Sequence, residues 1–141
     1  MDEHRPRPAT VDGIVLRKVV KTSSGVEGEI LLVKRAKDPH AGEWALPGGF
    51  MEFGENAEQA VAREVLEETA VRVRPVKMTG TYSSPERDVR QTVSTAFLCE
   101  YVSGDAKGGD DAGEARWYLL SWLPQLAFDH DEILRDALKQ V

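Results

Sequence analysis

The sequence predicts a mixed α/β domain. Runs of β-branched and aromatic residues, bounded by polar or glycine-bearing turns, read as strands. Two stretches with helical spacing, one internal and one at the C-terminal end, read as helices. The 141 residues suit one domain. A chain of this length buries roughly two-thirds of its unfolded surface, enough for a core without staples.

Each element has its own signal. Residues 10–20 are β-branched and read as a strand. Residues 21–28 (KTSSGVEG) form a polar turn, and 29–34 (EILLVK) a second strand, so the pair predicts a hairpin with a long loop. Residues 35–43 are charged, carry Pro39 and Gly42, and read as loop. Trp44-Ala45-Leu46 leads into a forced turn at Pro47-Gly48-Gly49. Residues 56–69 are the first helix, with Asn56 as N-cap and Glu58 in the first turn. Strands follow at 71–82 and 91–102, then an exposed loop at 103–113 and a short strand at 116–120. Asp129 with Glu132 resembles a capping box opening a last helix, whose apolar positions are Ile133, Leu134, Ala137, Leu138 and Val141.

Composition excludes several classes. Cys99 is the single cysteine, so an intramolecular disulfide framework and an all-cysteine zinc site are ruled out. In an apolar run it reads as a small core residue. The net charge of −6 disfavours nucleic acid and anionic membrane as partners. No apolar run approaches the roughly 20 residues of a membrane span, and the first residues lack a secretory pattern. The expectation is a flexible tail at 1–9, one domain at 10–141, and a cytoplasmic location.

On a helical wheel at about 100° per residue, Glu64, Glu67 and Glu68 share one arc. Val61, Ala62, Val65, Leu66 and Thr69 gather on another. Like charges at these spacings repel, and in a cleft their pKa values would rise. A solvated acidic face is one explanation; a divalent cation held by hard oxygen ligands is the other. The flanking residues favour the cation. Gly48-Gly49 lets backbone approach the helix, Glu52 and Glu55 add carboxylates, and Arg63 can pair with one of them.

The run Gly49-x5-Glu55-x7-Arg63-Glu64-Val65-Leu66-Glu67-Glu68-Thr69-Ala70-Val71 resembles the signature of the Nudix hydrolases. Ala70 departs from it, standing where the family usually has the glycine that ends the helix. The resemblance implies an α/β/α sandwich with a mixed β-sheet, a catalytic helix at about 56–69 and a C-terminal helix at about 129–140. It implies hydrolysis of a nucleoside diphosphate linked to another group. Glu64, Glu67, Glu68 and the carbonyl of Gly48 would hold Mg²⁺ or Mn²⁺, which lowers the pKa of bound water and neutralises pyrophosphate charge. Arg63 and Glu55 would orient the carboxylates. The general base would be one of the glutamates, or an acidic residue from the loop holding Asp110, Asp111 and Glu114.

The segment Ser83-Ser84-Pro85-Glu86-Arg87-Asp88-Val89-Arg90 looks like one found in ADP-ribose pyrophosphatases of that family. Arg87 and Arg90 could grip a phosphate or ribose. Arg35 and Glu52 complete the substrate-binding set, and Trp44 and Phe50 could flank a base. His130, before the last helix, reads as a surface or capping residue. The expected reaction takes ADP-ribose to AMP and ribose 5-phosphate. A nucleoside triphosphate is the alternative substrate. A non-catalytic nucleotide-sensing module is disfavoured by the intact Arg63, Glu64, Glu67 and Glu68. The partner is then a small-molecule nucleotide, with no nucleic acid and no membrane. A homodimer is open by analogy.

Overall fold

A computed structural model describes residues 4–109 and 112–141. Strands β1 (Ala9–Thr22) and β2 (Gly25–Arg35) form one continuous hairpin. The expected long loop is therefore only a tight turn at Ser23-Ser24. Pairing runs on through Val20↔Glu27 and Lys21↔Val26 to Thr22↔Gly25, largely outside the core, because ladder hydrogen bonds need backbone and not buried apolar side chains. Next come β3 (Trp44–Ala45), β4 (Gly48–Phe50), α1 (Ala57–Thr69) and β5 (Arg72–Tyr82). A short 3-10 turn (Pro85–Arg87), β6 (Val93–Ser103), β7 (Ala112–Leu119) and α2 (His130–Leu138) complete the chain.

The sheet is mixed, as expected. Its central order is β3-β2-β1-β6-β5, with β4 on β1 and β7 on β2. β1 runs parallel to β6 from Ala9↔Val93 to Leu16↔Glu100, and the other pairs are antiparallel. Side-chain alternation makes two cores. Val11, Val15, Leu31, Phe97 and Cys99 face α1, where Val61 and Val65 meet them. Ile14, Leu16, Ile30, Leu32 and Leu98 face α2, against Ile133, Leu134 and Ala137. The result is the helix–sheet–helix sandwich, with Cys99 buried in its core.

The ends of α1 follow from the sequence. Asn56 caps the helix through a reciprocal capping box with Gln59. At the other end Ala70 adopts φ +64, the left-handed conformation that glycine takes more easily. An L-residue there costs about 1–2 kcal/mol. The departure at Ala70 therefore leaves the helix closure intact and strains one alanine.

Two expectations need correction. Asp129 precedes α2 but makes no capping hydrogen bond, because its carboxylate is held by Arg87. The tail is tied down before residue 10: Arg7 donates to the carbonyls of Ser83 and Gln91, and Val93 N–H donates to the Pro8 carbonyl.

Candidate active site

The N-terminal end of β1, the 44–50 turn, α1 and the segments before β6 and α2 surround a cleft of about 460 Å³. That volume suits a nucleotide-sized ligand. Gly48 must be glycine for lack of space against backbone, and a side chain on Gly49 would displace the Glu64 carboxylate. A Cβ on Gly49 would lie 2.5 Å from Glu64 Oε2, and one on Gly48 would lie 2.1 Å from the Val11 carbonyl oxygen. The glycines therefore let the α1 carboxylates and β1 come up against the turn.

Arg63 organises the acidic wall. Its Nε and Nη2 clasp both oxygens of Glu55 at 2.9 and 2.6 Å. Nη1 donates to Glu64 Oε1 at 2.8 Å and Glu67 Oε1 at 3.1 Å, and Nη2 also reaches the Phe50 carbonyl at 3.0 Å. Glu52 is a weaker ion-pair partner at 3.6 Å, and its N–H donates to Glu55. These hydrogen bonds from Arg63 hold the Glu55 carboxyl down at about 2. Glu55 in turn holds the Arg63 guanidinium well above its usual range.

Glu68 stands apart from Arg63. Its Oε1 accepts the Gly48 N–H at 2.8 Å. Burial pushes this carboxyl up to about 8; the Gly48 N–H opposes that shift, while the charges of Glu64 and Asp12 add to it. Burial also raises Glu64, against the pull of Arg63. Among the described residues, each of Glu64, Glu67 and Glu68 has one oxygen in a hydrogen bond and leaves Oε2 without one. Hard carboxylate oxygens on one helix face, with two of the carboxyls raised by burial, are a donor set that fits a divalent cation. They are not gathered into a ready cluster: no group of three acidic, histidine or cysteine side chains at metal-ligating spacing occurs among the described residues. Arg63 draws Glu64 and Glu67 one way, and Gly48 draws Glu68 another.

The opposite wall carries Arg35, Arg87, Arg90 and Phe128. Arg87 lines the cleft, but each of its three guanidinium nitrogens already donates a hydrogen bond. It forms a two-pronged pair with Asp129 at 2.8 and 2.9 Å and donates to Thr92 Oγ1. Its side chain is only 4% exposed, so its visible role is to bind the 83–92 segment to the start of α2. Arg90 pairs with Asp88 and lies over the rings of Phe50 and Phe128 at 5.3 and 5.8 Å. Arg35 donates Nε to the Pro39 carbonyl and lies 4.9 Å from the Phe128 ring.

Other expected residues fall elsewhere. Trp44 packs on Tyr118 and the outer core rather than on the cleft, while Phe50 is 45% exposed at its rim. Glu114 is not on a loop: it sits in β7 opposite Lys34, is ion-paired to Arg116, and does not line the cleft. Asp110 and Asp111 lie outside the described residues. His130 is buried and faces the cleft instead of capping a helix at the surface. Sequence reasoning missed Asp12 and Phe128. Asp12 had a readable signal, since it is a lone acid in the apolar run Val11–Leu16.

The model of the NUDIX domain family matches residues 18–138. The chain belongs to the Nudix family. As a member it is a pyrophosphohydrolase, the enzyme class the signature implied. This Nudix chain is 43% identical to the ADP-ribose pyrophosphatase of Methanocaldococcus jannaschii over 130 residues, covering 92% of itself and 72% of that protein. It is similar to the NUDIX domain of Shewanella oneidensis NrtR complexed with ADP ribose: TM-score 0.80, 26% identity, 97% of this chain and 90% of that one. A further likeness is to the bifunctional NMN adenylyltransferase/ADP ribose pyrophosphatase of Francisella tularensis complexed with AMP and a manganese ion. Its TM-score is 0.75 at 26% identity, over 99% of this Nudix chain and 43% of that one. Among the described residues no helix is long and apolar enough to cross a membrane.

Proposed function

We propose that the chain hydrolyses the pyrophosphate bond of ADP-ribose, giving AMP and ribose 5-phosphate, with Mg²⁺ or Mn²⁺ at the acidic wall. The observation that carries the reading is a cleft of about 460 Å³ with three glutamates on one wall and arginines and phenylalanines on the other. Such a cleft offers a cation side for the diphosphate and an aromatic, guanidinium side for base and ribose. The likeness to an ADP-ribose pyrophosphatase supports the same substrate.

Glu64, Glu67 and Glu68, with the Gly48 carbonyl, would hold the cation. The bound cation supplies charge neutralisation on the diphosphate and a lowered pKa for water. Arg63 and Glu55 orient Glu64 and Glu67. Glu68, held by the Gly48 N–H apart from Arg63, is the glutamate assigned to take a proton from the attacking water. Arg35 and Arg90 line the substrate side, and Glu52 would meet the substrate from the edge of the acidic wall. A cytoplasmic location and a homodimer belong to the same proposal; cell fractionation and sedimentation test them.

A second reading, with a nucleoside triphosphate as substrate, is favoured by one observation. Arg87 and Arg90 are each already paired with an aspartate, which weakens the grip expected from the 83–90 segment. Hydrolysis of a nucleotide panel with Mg²⁺ or Mn²⁺, with and without EDTA, decides. Metal-dependent release of AMP from ADP-ribose above all other compounds is expected. Faster cleavage of a triphosphate would replace the substrate assignment.

A further inference from the structure

The Leu46–Gly49 turn brings Gly48 N–H to Glu68, so whatever holds the turn sets the acidic wall. One side of the turn is held by β1: Gly13 N–H donates to the Pro47 carbonyl at 2.8 Å, and Asp12 pairs with Gly48 in the strand register. The other side is held from the far end of the chain. Trp44 bridges Leu126, Ala127 N–H donates to the Trp44 carbonyl, and Leu46 N–H donates to His130 Nδ1 at 3.0 Å. An imidazole that accepts at Nδ1 carries its proton on Nε2 when neutral. Burial pushes His130 toward that neutral form. Its Nε2 faces Asp12 Oδ1 at 3.5 Å, and Asp12 Oδ2 in turn accepts from Ser94 Oγ. Asp12, Ser94 and His130 are all buried. The chain Ser94–Asp12–His130–Leu46 thus ties β6, β1 and α2 to one amide of the turn.

We infer that His130 is a positioning residue for the hydrolysis proposed above, an inference that rests on that reading. It acts through the Leu46 amide to place Gly48 N–H against Glu68. Asp12, facing Nε2 at 3.5 Å, favours the tautomer that the Leu46 hydrogen bond selects. The requirement at position 130 is specific: an acceptor at the place of Nδ1, within reach of Leu46 N–H.

Two substitutions separate this requirement from plain filling of space. In His130→Asn the amide oxygen can stand near the place of Nδ1. In His130→Gln the longer side chain carries its polar group toward the place of Nε2. Backbone amide hydrogen exchange of both variants and the wild type is followed by NMR, with steady-state kinetics on ADP-ribose and Mg²⁺. In His130→Gln, exchange at Leu46 and Gly48 should quicken about tenfold, the size of one buried hydrogen bond. Protection at Ile14 and Leu98 in the sheet should stay unchanged, which shows that the fold persists. The kcat of that variant should fall about 10- to 100-fold with little change in KM, the scale of a small misplacement at a reacting centre. His130→Asn should recover both amide protection and turnover.

Wild-type protection at Leu46 and Gly48 in His130→Gln overturns the inference. So does equal loss of turnover in the two variants. If the wild type hydrolyses none of the nucleotides, the functional reading fails, and the exchange pattern alone then decides whether His130 positions the turn.

Discussion

The two walls of the cleft handle charge in opposite ways. On the α1 side, among the described residues, Arg63 serves Glu55, Glu64, Glu67 and, more weakly, Glu52, while Glu68 accepts a backbone N–H. Negative charge is in surplus there, and burial raises the carboxyls of Glu64 and Glu68. On the other side, Arg87 has Asp129 and Arg90 has Asp88, while Arg35 donates to the Pro39 carbonyl. The first wall offers the donor set that the proposed function assigns to a cation. The second is closer to balance, with two of its three arginines paired to acids, and Arg35 and Arg90 lie over the rings of Phe128 and Phe50. An unbalanced wall points to chemistry, whereas a balanced one points to architecture and recognition.

The largest effect expected from breaking this contrast is at Glu68. Glu68→Gln keeps an oxygen for Gly48 N–H but removes the charge, so turnover should fall about 10²- to 10⁴-fold while circular dichroism stays native. Full activity in that variant would remove Glu68 from the chemistry. On the balanced wall the main loss should be in stability. Asp129→Asn leaves the buried Arg87 cation without its counter-charge, and unfolding should be easier by about 3 kcal/mol in urea titrations. A change in ADP-ribose KM with stability unmoved would instead make Arg87 a substrate ligand.

A third test uses pH. The unfolded chain releases the Glu68 proton near 4.5, and the folded chain holds it to about 8. The folded state therefore binds more protons in that window, and this group's contribution to metal-free stability falls as pH rises through it. Glu55, held at about 2, contributes stability that is lost only as pH falls below its ordinary 4.5, so the two do not overlap. Melting curves in EDTA should show wild type losing ground to Glu68→Gln between pH 4.5 and 8. Parallel curves would count against a buried, raised carboxyl. The smallest effect is away from both walls: Ala70→Gly should relieve the left-handed strain and stabilise by about 1 kcal/mol in thermal melts.

Legibility in the sequence followed the same divide. The acidic wall is built from neighbours on one helix and the turn before it, so periodicity and spacing revealed Glu64, Glu67, Glu68 and Arg63. The layered fold was legible for a similar reason, since strand alternation and two helical stretches are local signals. The balanced wall depends on partners far apart in the chain. Arg87 meets Asp129 across 42 positions and His130 meets Leu46 across 84, and no local pattern announces either. Asp129 therefore looked like a helix cap and His130 like a surface residue. The hairpin turn is shorter than its polar, glycine-bearing sequence suggests, because backbone pairing carries on beyond the core, where hydrophobic patterning is silent.

Manganese binding tests the surplus-charge account most directly, by calorimetric titration of wild type, Glu68→Gln and Asp129→Asn at pH 8. Wild type and Asp129→Asn should bind Mn²⁺ with similar affinity, and Glu68→Gln should bind at least about tenfold more weakly, as expected on losing one anionic oxygen ligand. Equal affinity in Glu68→Gln and wild type would contradict the assignment of the α1 carboxylates as the cation site.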